Sequence, residues 1–384
     1  MKVPPQKSRG SASGSSRSSH TGGRVSSGRV GRAPFAAAPS FPHKQGARLV
    51  DPVDPVVWVL TDDRAGNVSQ ATGVAEALGW PFEVRPIHYT ALGHMPNLLR
   101  GASLLGISNE SRVLLETTLT PDQAPDLVIA AGRRTAPVAR WIKRRAGKPC
   151  FLCQIMWPGM PGISDFDLVA VPTHDNLFGQ YANVMRITGA PHRVTEGRLA
   201  VEGARWRDRL RHLRGPVVAL IVGGATRRKA FTPKMATDLG KHVSSMVASA
   251  GGSLVVTTSR RTGRDATDAL FAALPAPGHS FRWGSRDENP YFGYLALADA
   301  IVVTGDSVSM VSEACASPAP VFIYAPTGLV SRKHARLHRN LYALGIAEPM
   351  KDTFSTWVHP PLNAAVDIAR MVRLALLGEE GDGQ

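Results

Sequence analysis

From Val56 to Leu377 short apolar runs alternate with helical stretches, and the pattern starts afresh after Gly215-Pro216. The first half reads as strands at VVWVL (56–60), FEVRPI (82–87), DLVIAA (126–131), PCFLCQI (149–155), DLVAV (167–171) and NVMRITG (183–189), with helices over 68–78 and 135–145. The second half reads as strands at VVALIVGGA (217–225), SLVVTTS (253–259), HSFRW (279–283), AIVVTG (300–305) and PVFIYA (320–325). Helices are expected there at 206–213, 232–250, 264–274, 308–316 and 332–344. Thr232 is placed to cap the long one, with Pro233 in its first turn. Strands alternating with crossover helices imply parallel sheets. The expectation is an α/β protein of two Rossmann-like domains facing across a cleft, over residues 51–200 and 201–384. The amphipathic stretch 362–377 is expected to cross back to the first domain. Ligands in such sheets sit outside the carboxyl ends of the strands, so chemistry is sought there.

Composition narrows the function classes. The formal net charge is +15, but nine of the 45 Lys and Arg residues lie in residues 1–50, which hold no Asp or Glu. The remaining 36 face 30 acids, so the body carries +6, a mild excess suited to anionic substrates or a membrane surface. No zinc-finger spacing or RNA-binding signature accompanies the charge, and nucleic acid is not an expected partner. Residues 1–50 are rich in Ser, Gly and Arg and are expected to form a disordered basic tail. The same composition fits a transit peptide, although the glycines between Gly10 and Gly46 oppose the helix such a peptide needs. A cytoplasmic location is expected, peripheral to the inner face of a membrane, or mitochondrial if the tail is a transit peptide. No apolar run approaches the ~18 residues of a membrane-spanning helix. Cys150 and Cys153 share one strand and should point to opposite sheet faces, which makes them core thiols and not a metal pair.

Polar motifs cluster where strands end. In VVTGDSVSMVSEA (302–314), Asp306 and Ser307 open a helix whose N-terminus can hold a phosphate, with Ser309 adding a hydroxyl. Glu313, about two turns on, can accept from a ribose hydroxyl; a plain capped helix would carry the same residues. GGATRRK (223–229) brings Gly223 and Gly224 for close backbone approach, with Arg227 beside them. It is neither a Walker A loop nor a GxGxxG fingerprint. TSRRT (258–262) would put Ser259, Arg260 and Arg261 on the same edge, and ENPY would add Asn289 and Tyr291, the latter as a ring to stack or as core. In the first half, Asp62 of TDDRAGN is a candidate base or sugar-hydroxyl acceptor, and Asn67 a candidate helix cap. His174 and Asp175 of VPTHD form a candidate acid–base pair.

Taken together, TDDRAGNVSQATGVAEALG, VPTHD, GAPHRVT, GGATRRKAFT, TSRRT and ENPYFGYLALADAIVVTGDSVSMVSEA resemble the mitochondrial-fission Elm family, over roughly residues 56–350. The resemblance implies a two-domain glycosyltransferase-like fold of the GT-B type. It further implies that Ser307 and Ser309 contact a diphosphate, Glu313 a ribose, and Gly223, Gly224, Ser259 and Arg260 the donor pocket. Asp63 stands where related sequences often carry glycine, and GGATRRK departs from a histidine-containing version of that loop.

Two functions follow as expectations. One is metal-independent transfer of a sugar from a nucleotide-diphosphate donor to a lipid or envelope glycan, with no covalently bound cofactor. The other is a scaffold that recruits a dynamin-like GTPase to a membrane.

Overall fold

The computed structural model describes residues 55–160, 162–177 and 179–378; the basic segment 1–50 lies outside them. The first half is a six-stranded parallel sheet of β1 (Val57–Thr61), β2 (Phe82–Pro86), β3 (Leu127–Ala131), β4 (Phe151–Ile155), β5 (Leu168–Pro172) and β6 (Val184–Ile187), in the order β2-β1-β3-β4-β5-β6. Val59 lies opposite Val84 on one side and Ile129 on the other, which sets the register at the sheet centre. The second half is a parallel sheet of β7 (Val217–Val222), β8 (Ser253–Thr258), β9 (His279–Phe281), β10 (Ala300–Thr304), β11 (Val321–Tyr324) and β12 (Ala347–Pro349), in the order β12-β11-β10-β7-β8-β9. Every residue of β1, β3, β4, β5 and β10 is buried, as expected for parallel strands covered on both faces. This is a GT-B-like arrangement of two Rossmann-like halves.

The helices of the first half are α1 (Ala65–Leu78), α2 (Asn97–Arg100), α3 (Asn109–Thr118) and α4 (Ala136–Arg145). Those of the second are α5 (Glu196–Leu210), α6 (Pro233–Ala250), α7 (Arg264–Ala273), α8 (Tyr291–Leu297), α9 (Val308–Ala314) and α10 (Arg332–Ala343), with α11 (Ala364–Leu377) at the end. Thr232 caps α6 by accepting from the Met235 amide at 3.2 Å, with Pro233 first in the helix. The stretch expected at 206–213 overlaps the last five residues of α5, which begins ten residues earlier behind a Thr195 cap and ends at Leu210. Helix α1 begins at Ala65, three residues ahead of expectation, and Asn67 turns inward to Asp62 instead of capping it.

Two cores cover the faces of each sheet. Cys153 joins the core that contains α1 and α11, and Cys150 the opposite one, because a three-residue offset along a strand reverses the face. Burial pushes both thiols up to about 12. Helix α11 buries Ile368, Met371, Val372 and Leu376 in the core of the first sheet, so the C-terminal stretch returns to the half from which the chain set out. No helix among the described residues is long and apolar enough to cross a membrane.

Candidate functional site

The second sheet reverses its strand order between β7 and β10, and a crevice opens at such a point beyond the strand ends. Three loops meet there. After β7 come Gly223 and Gly224; after β8, the turn Ser259–Thr262; after β10, Gly305 and Asp306. Asp306 ties them together, its side chain wholly buried. One oxygen accepts from the Gly224 amide at 3.0 Å and pairs with the Arg261 guanidinium at 2.7 Å. Thr304 Oγ1 accepts from the Gly223 amide at 2.7 Å, while Ser259 and Thr262 donate to the Gly223 carbonyl at 2.7 and 2.6 Å. Both glycines are demanded by this packing. A Cβ at Gly223 would stand 2.5 Å from both Asp306 oxygens, and one at Gly224, whose φ is +146°, 2.1 Å from the Arg261 carbonyl. The close approach these glycines permit is therefore first to Asp306 and Arg261.

On the rim of this knot, Arg227, Arg228 and Arg260 are exposed, and none has an ion-pair partner among the described residues. Ser307 caps α9 through the Met310 amide at 3.4 Å. Ser309 faces the other half: a Cβ on Gly66, at the start of α1, would lie 3.8 Å from its hydroxyl. Two turns along, Glu313 accepts from the Tyr291 hydroxyl at 2.6 Å, and Asn289 Oδ1 accepts from the Tyr291 amide at 3.1 Å. Burial raises the Glu313 carboxyl above its ordinary range, and burial next to Glu313 holds the Tyr291 phenol well above its own. ENPY thus supplies Tyr291 as the clamp on Glu313.

The first sheet reverses its order between β1 and β3, and the loops there are joined the same way. Asp62, after β1, accepts from Arg134 at 2.9 Å, from the Asn67 amide group at 3.1 Å on each oxygen, and from the Arg64 amide at 3.1 Å. Arg134 also pairs with Asp63 and stacks on the Tyr89 ring. Farther along the edge, the loop after β5 reaches the second half. Asn340 donates to Thr173 at 3.2 Å, Arg336 to the His174 carbonyl at 2.8 Å, and Lys333 pairs with Asp175 at 2.6 Å. His174 and Asp175 are adjacent, yet Asp175 is engaged by Lys333 while neither ring nitrogen of His174 has a hydrogen-bond partner. Burial, with Lys333 beside it, pushes this imidazole down to about 4. Beside α10 a cavity of about 650 Å³ is edged by Arg332, Arg336 and Arg339 over Ile323, Val330 and Met350. Among the described residues no three metal-ligating side chains converge.

The expected residues therefore fall into five places, three in the second half and two in the first. Gly223, Gly224, Ser259 and Asp306 form the knot; Asn289, Tyr291, Ser307, Ser309 and Glu313 lie along α8 and α9; Arg227 and Arg260 are on the rim. Asp62 belongs to a separate knot in the first half, and His174 and Asp175 to the contact with α10. Sequence reasoning missed Arg134, and it placed both Arg260 and Arg261 on the edge but carried only Arg260 into the donor pocket. A signal was present: Arg-Arg-Thr follows a strand in both halves, at 133–135 and 260–262. In each case the first arginine is exposed and the second turns inward to an aspartate.

A family model described as mitochondrial fission ELM1 matches residues 65–376. The chain belongs to this family. Its ELM1 relatives include the "Mitochondrial fission protein ELM1" of Arabidopsis thaliana, 29% identical over 299 residues, covering 72% of this chain and 68% of that protein. An uncharacterised protein of Rickettsia prowazekii is 26% identical over 356 residues, covering 83% of this chain and 98% of its own length. Among solved structures, a putative UDP-N-acetylglucosamine 2-epimerase from Listeria monocytogenes superposes with a TM-score of 0.50 at 13% identity, over 86% of this chain and 98% of that one. The likeness is one of fold.

Proposed function

We propose that the chain is a glycosyltransferase that takes its sugar from a nucleotide-diphosphate donor held by the second half and passes it to an acceptor held by the first. The observation that carries this reading is the Glu313–Tyr291 pair on the flank of α9. It sits one short helix away from a strand-end knot ringed by Arg227, Arg228 and Arg260. A fixed carboxylate suits a ribose diol. Unpaired guanidiniums beside backbone amides suit a diphosphate whose charge grows as the glycosidic bond breaks. Ser309, on the face toward α1, would bond the same diphosphate. Of the residues available for acid–base work, Asp62 is held by Arg134 and Asn67, and Asp175 by Lys333. His174, whose ring nitrogens are buried and unpartnered, is neutral at pH 7 and is the remaining group assigned to receive the acceptor's proton. The acceptor is assigned as a lipid-linked or envelope glycan, and the site of action as a membrane surface facing the cytoplasm.

One observation favours a second reading, a scaffold in membrane division. The knot of Asp306, Arg261, Ser259 and Thr262 is closed on itself and needs no ligand to hold its shape. Thermal unfolding against UDP, GDP, ADP, CMP and their sugars separates the two. A donor at a hundredfold its dissociation constant adds about 2.7 kcal/mol of stability, and Glu313→Gln should remove most of that gain. Absence of any response would leave the scaffold.

A further inference from the structure

Six of the thirteen large apolar side chains exposed among the described residues fall within residues 92–114, a concentration in one short segment. Its centre is α2, Asn-Leu-Leu-Arg, whose polarity is inverted. Asn97 and Arg100 are buried, at 6% and 2% exposure, while Leu98 and Leu99 stand out at 71% and 64%. The inward residues explain why the turn keeps this orientation. Asn97 donates to the carbonyls of Arg133 at 2.8 Å and Pro158 at 2.7 Å, and Arg100 to those of Leu105 at 2.9 Å and Arg134 at 3.2 Å. Turning the leucines in would strand those groups without partners, at a cost that apolar burial would not repay. Leu92, Leu105 and Met160 are exposed on the same loops.

These bonds also locate the segment. Arg133, Arg134 and Pro158 follow β3 and β4, so the leucines project from the carboxyl edge of the first sheet, the edge that carries Asp62. No acid occurs between Glu83 and Glu110, nor between Asp126 and Asp165; Arg133 is exposed and anchors the carbonyls of His94 and Met95, and Asp63, exposed on the same edge, is paired with Arg134. Trp157 packs against Tyr181, their ring centroids 5.3 Å apart, and Tyr181 donates to the Met160 sulfur at 3.2 Å, which sets amphipathic aromatics beside the apolar side chains. Protruding leucines, flanking aromatics and an exposed Arg133 whose neighbouring acids are already paired fit a fluid anionic interface.

We propose that this edge docks on an anionic phospholipid surface, with Leu98 and Leu99 entering the headgroup boundary and Arg133 and His94 meeting lipid phosphate. The docking stands independently of the transferase reading. Where that reading holds, it narrows the acceptor to one presented at the bilayer.

The test is flotation of the full chain with vesicles of phosphatidylcholine alone or doped with phosphatidylglycerol, at low and high salt. The wild type should float with the doped vesicles and keep part of that binding at high salt. Leu98→Ser with Leu99→Ser should weaken partitioning at least about tenfold, since each leucine contributes apolar transfer energy. That variant should keep its nucleotide response, which separates failure here from failure of the donor site. A Leu98→Trp chain should show quenching by brominated lipid, a readout that does not depend on the double variant. Equal flotation of variant and wild type, both released by salt, would assign binding to the nine cations of residues 1–50 and overturn the proposal. So would a wild type that does not float, or one that self-associates through the leucines while the variant stays monomeric.

Discussion

Asp62 and Asp306 hold matching posts, each binding the loops around the point where its sheet reverses, and each answered by the second arginine of an Arg-Arg-Thr. Removing one partner of such a pair leaves a buried charge alone. Arg134→Met should therefore cost about 3–5 kcal/mol in urea unfolding, and adding Asp62→Asn should recover part of the loss. Equal stability of the single and double variants would mean that the pair is not coupled. His174 gives a pH signature. Its folded-state pKa lies below the ordinary histidine value, so the unfolded chain binds the extra proton as pH falls from about 6.5 to about 4. Stability should be full above that window and drop through it, by at most about 1.4 kcal/mol per pH unit for this group. His174→Gln should flatten the slope of thermal midpoint against pH over the same range. His338, also lowered to about 4 by burial, contributes in the same direction, so the wild-type slope should exceed that of either single variant.

Among the elements, α11 is the piece on which the first half most depends, because a helix from the far end of the chain completes its core. Ile368→Ala should destabilise by about 2–5 kcal/mol, read by chemical denaturation, with the loss in the first half. An effect below the ordinary range for an exposed substitution would mean that α11 is loosely docked. The long strands could be read from sequence because parallel strands buried on both faces are continuous apolar runs, and the longest helix because Thr232-Pro233 is a capping signal. Residues 91–118 could not. In α2 the polar side chains face inward and the leucines outward, the reverse of what periodicity assumes. Strand β12, three residues long and partly exposed, is too short to register as a pattern. Sequence reading gathered the strand-end motifs of the second half, but that Arg261 and not Arg260 turns inward depends on how the turn Ser259–Thr262 closes on Asp306, which only the Arg-Arg-Thr repeated in both halves hinted at. Asn67 read as a cap because its distance to Asp62 depends on how the loop closes.

At the scale of the molecule, two parallel sheets turn their carboxyl edges toward each other. The second edge carries a self-supporting knot with the Glu313–Tyr291 pair and exposed arginines beside it, and the first carries His174 and an apolar margin flanked by Arg133. The proposed transferase needs a nucleoside diphosphate bound at the second edge, beside Glu313. Hydrogen–deuterium exchange of the full chain, with and without the nucleotide that raises its thermal midpoint most, tests this directly. Protection should concentrate at residues 223–229, 259–262 and 305–313 and vanish in Glu313→Gln. Unchanged exchange at those loops, or protection confined to the cavity beside α10, would contradict it.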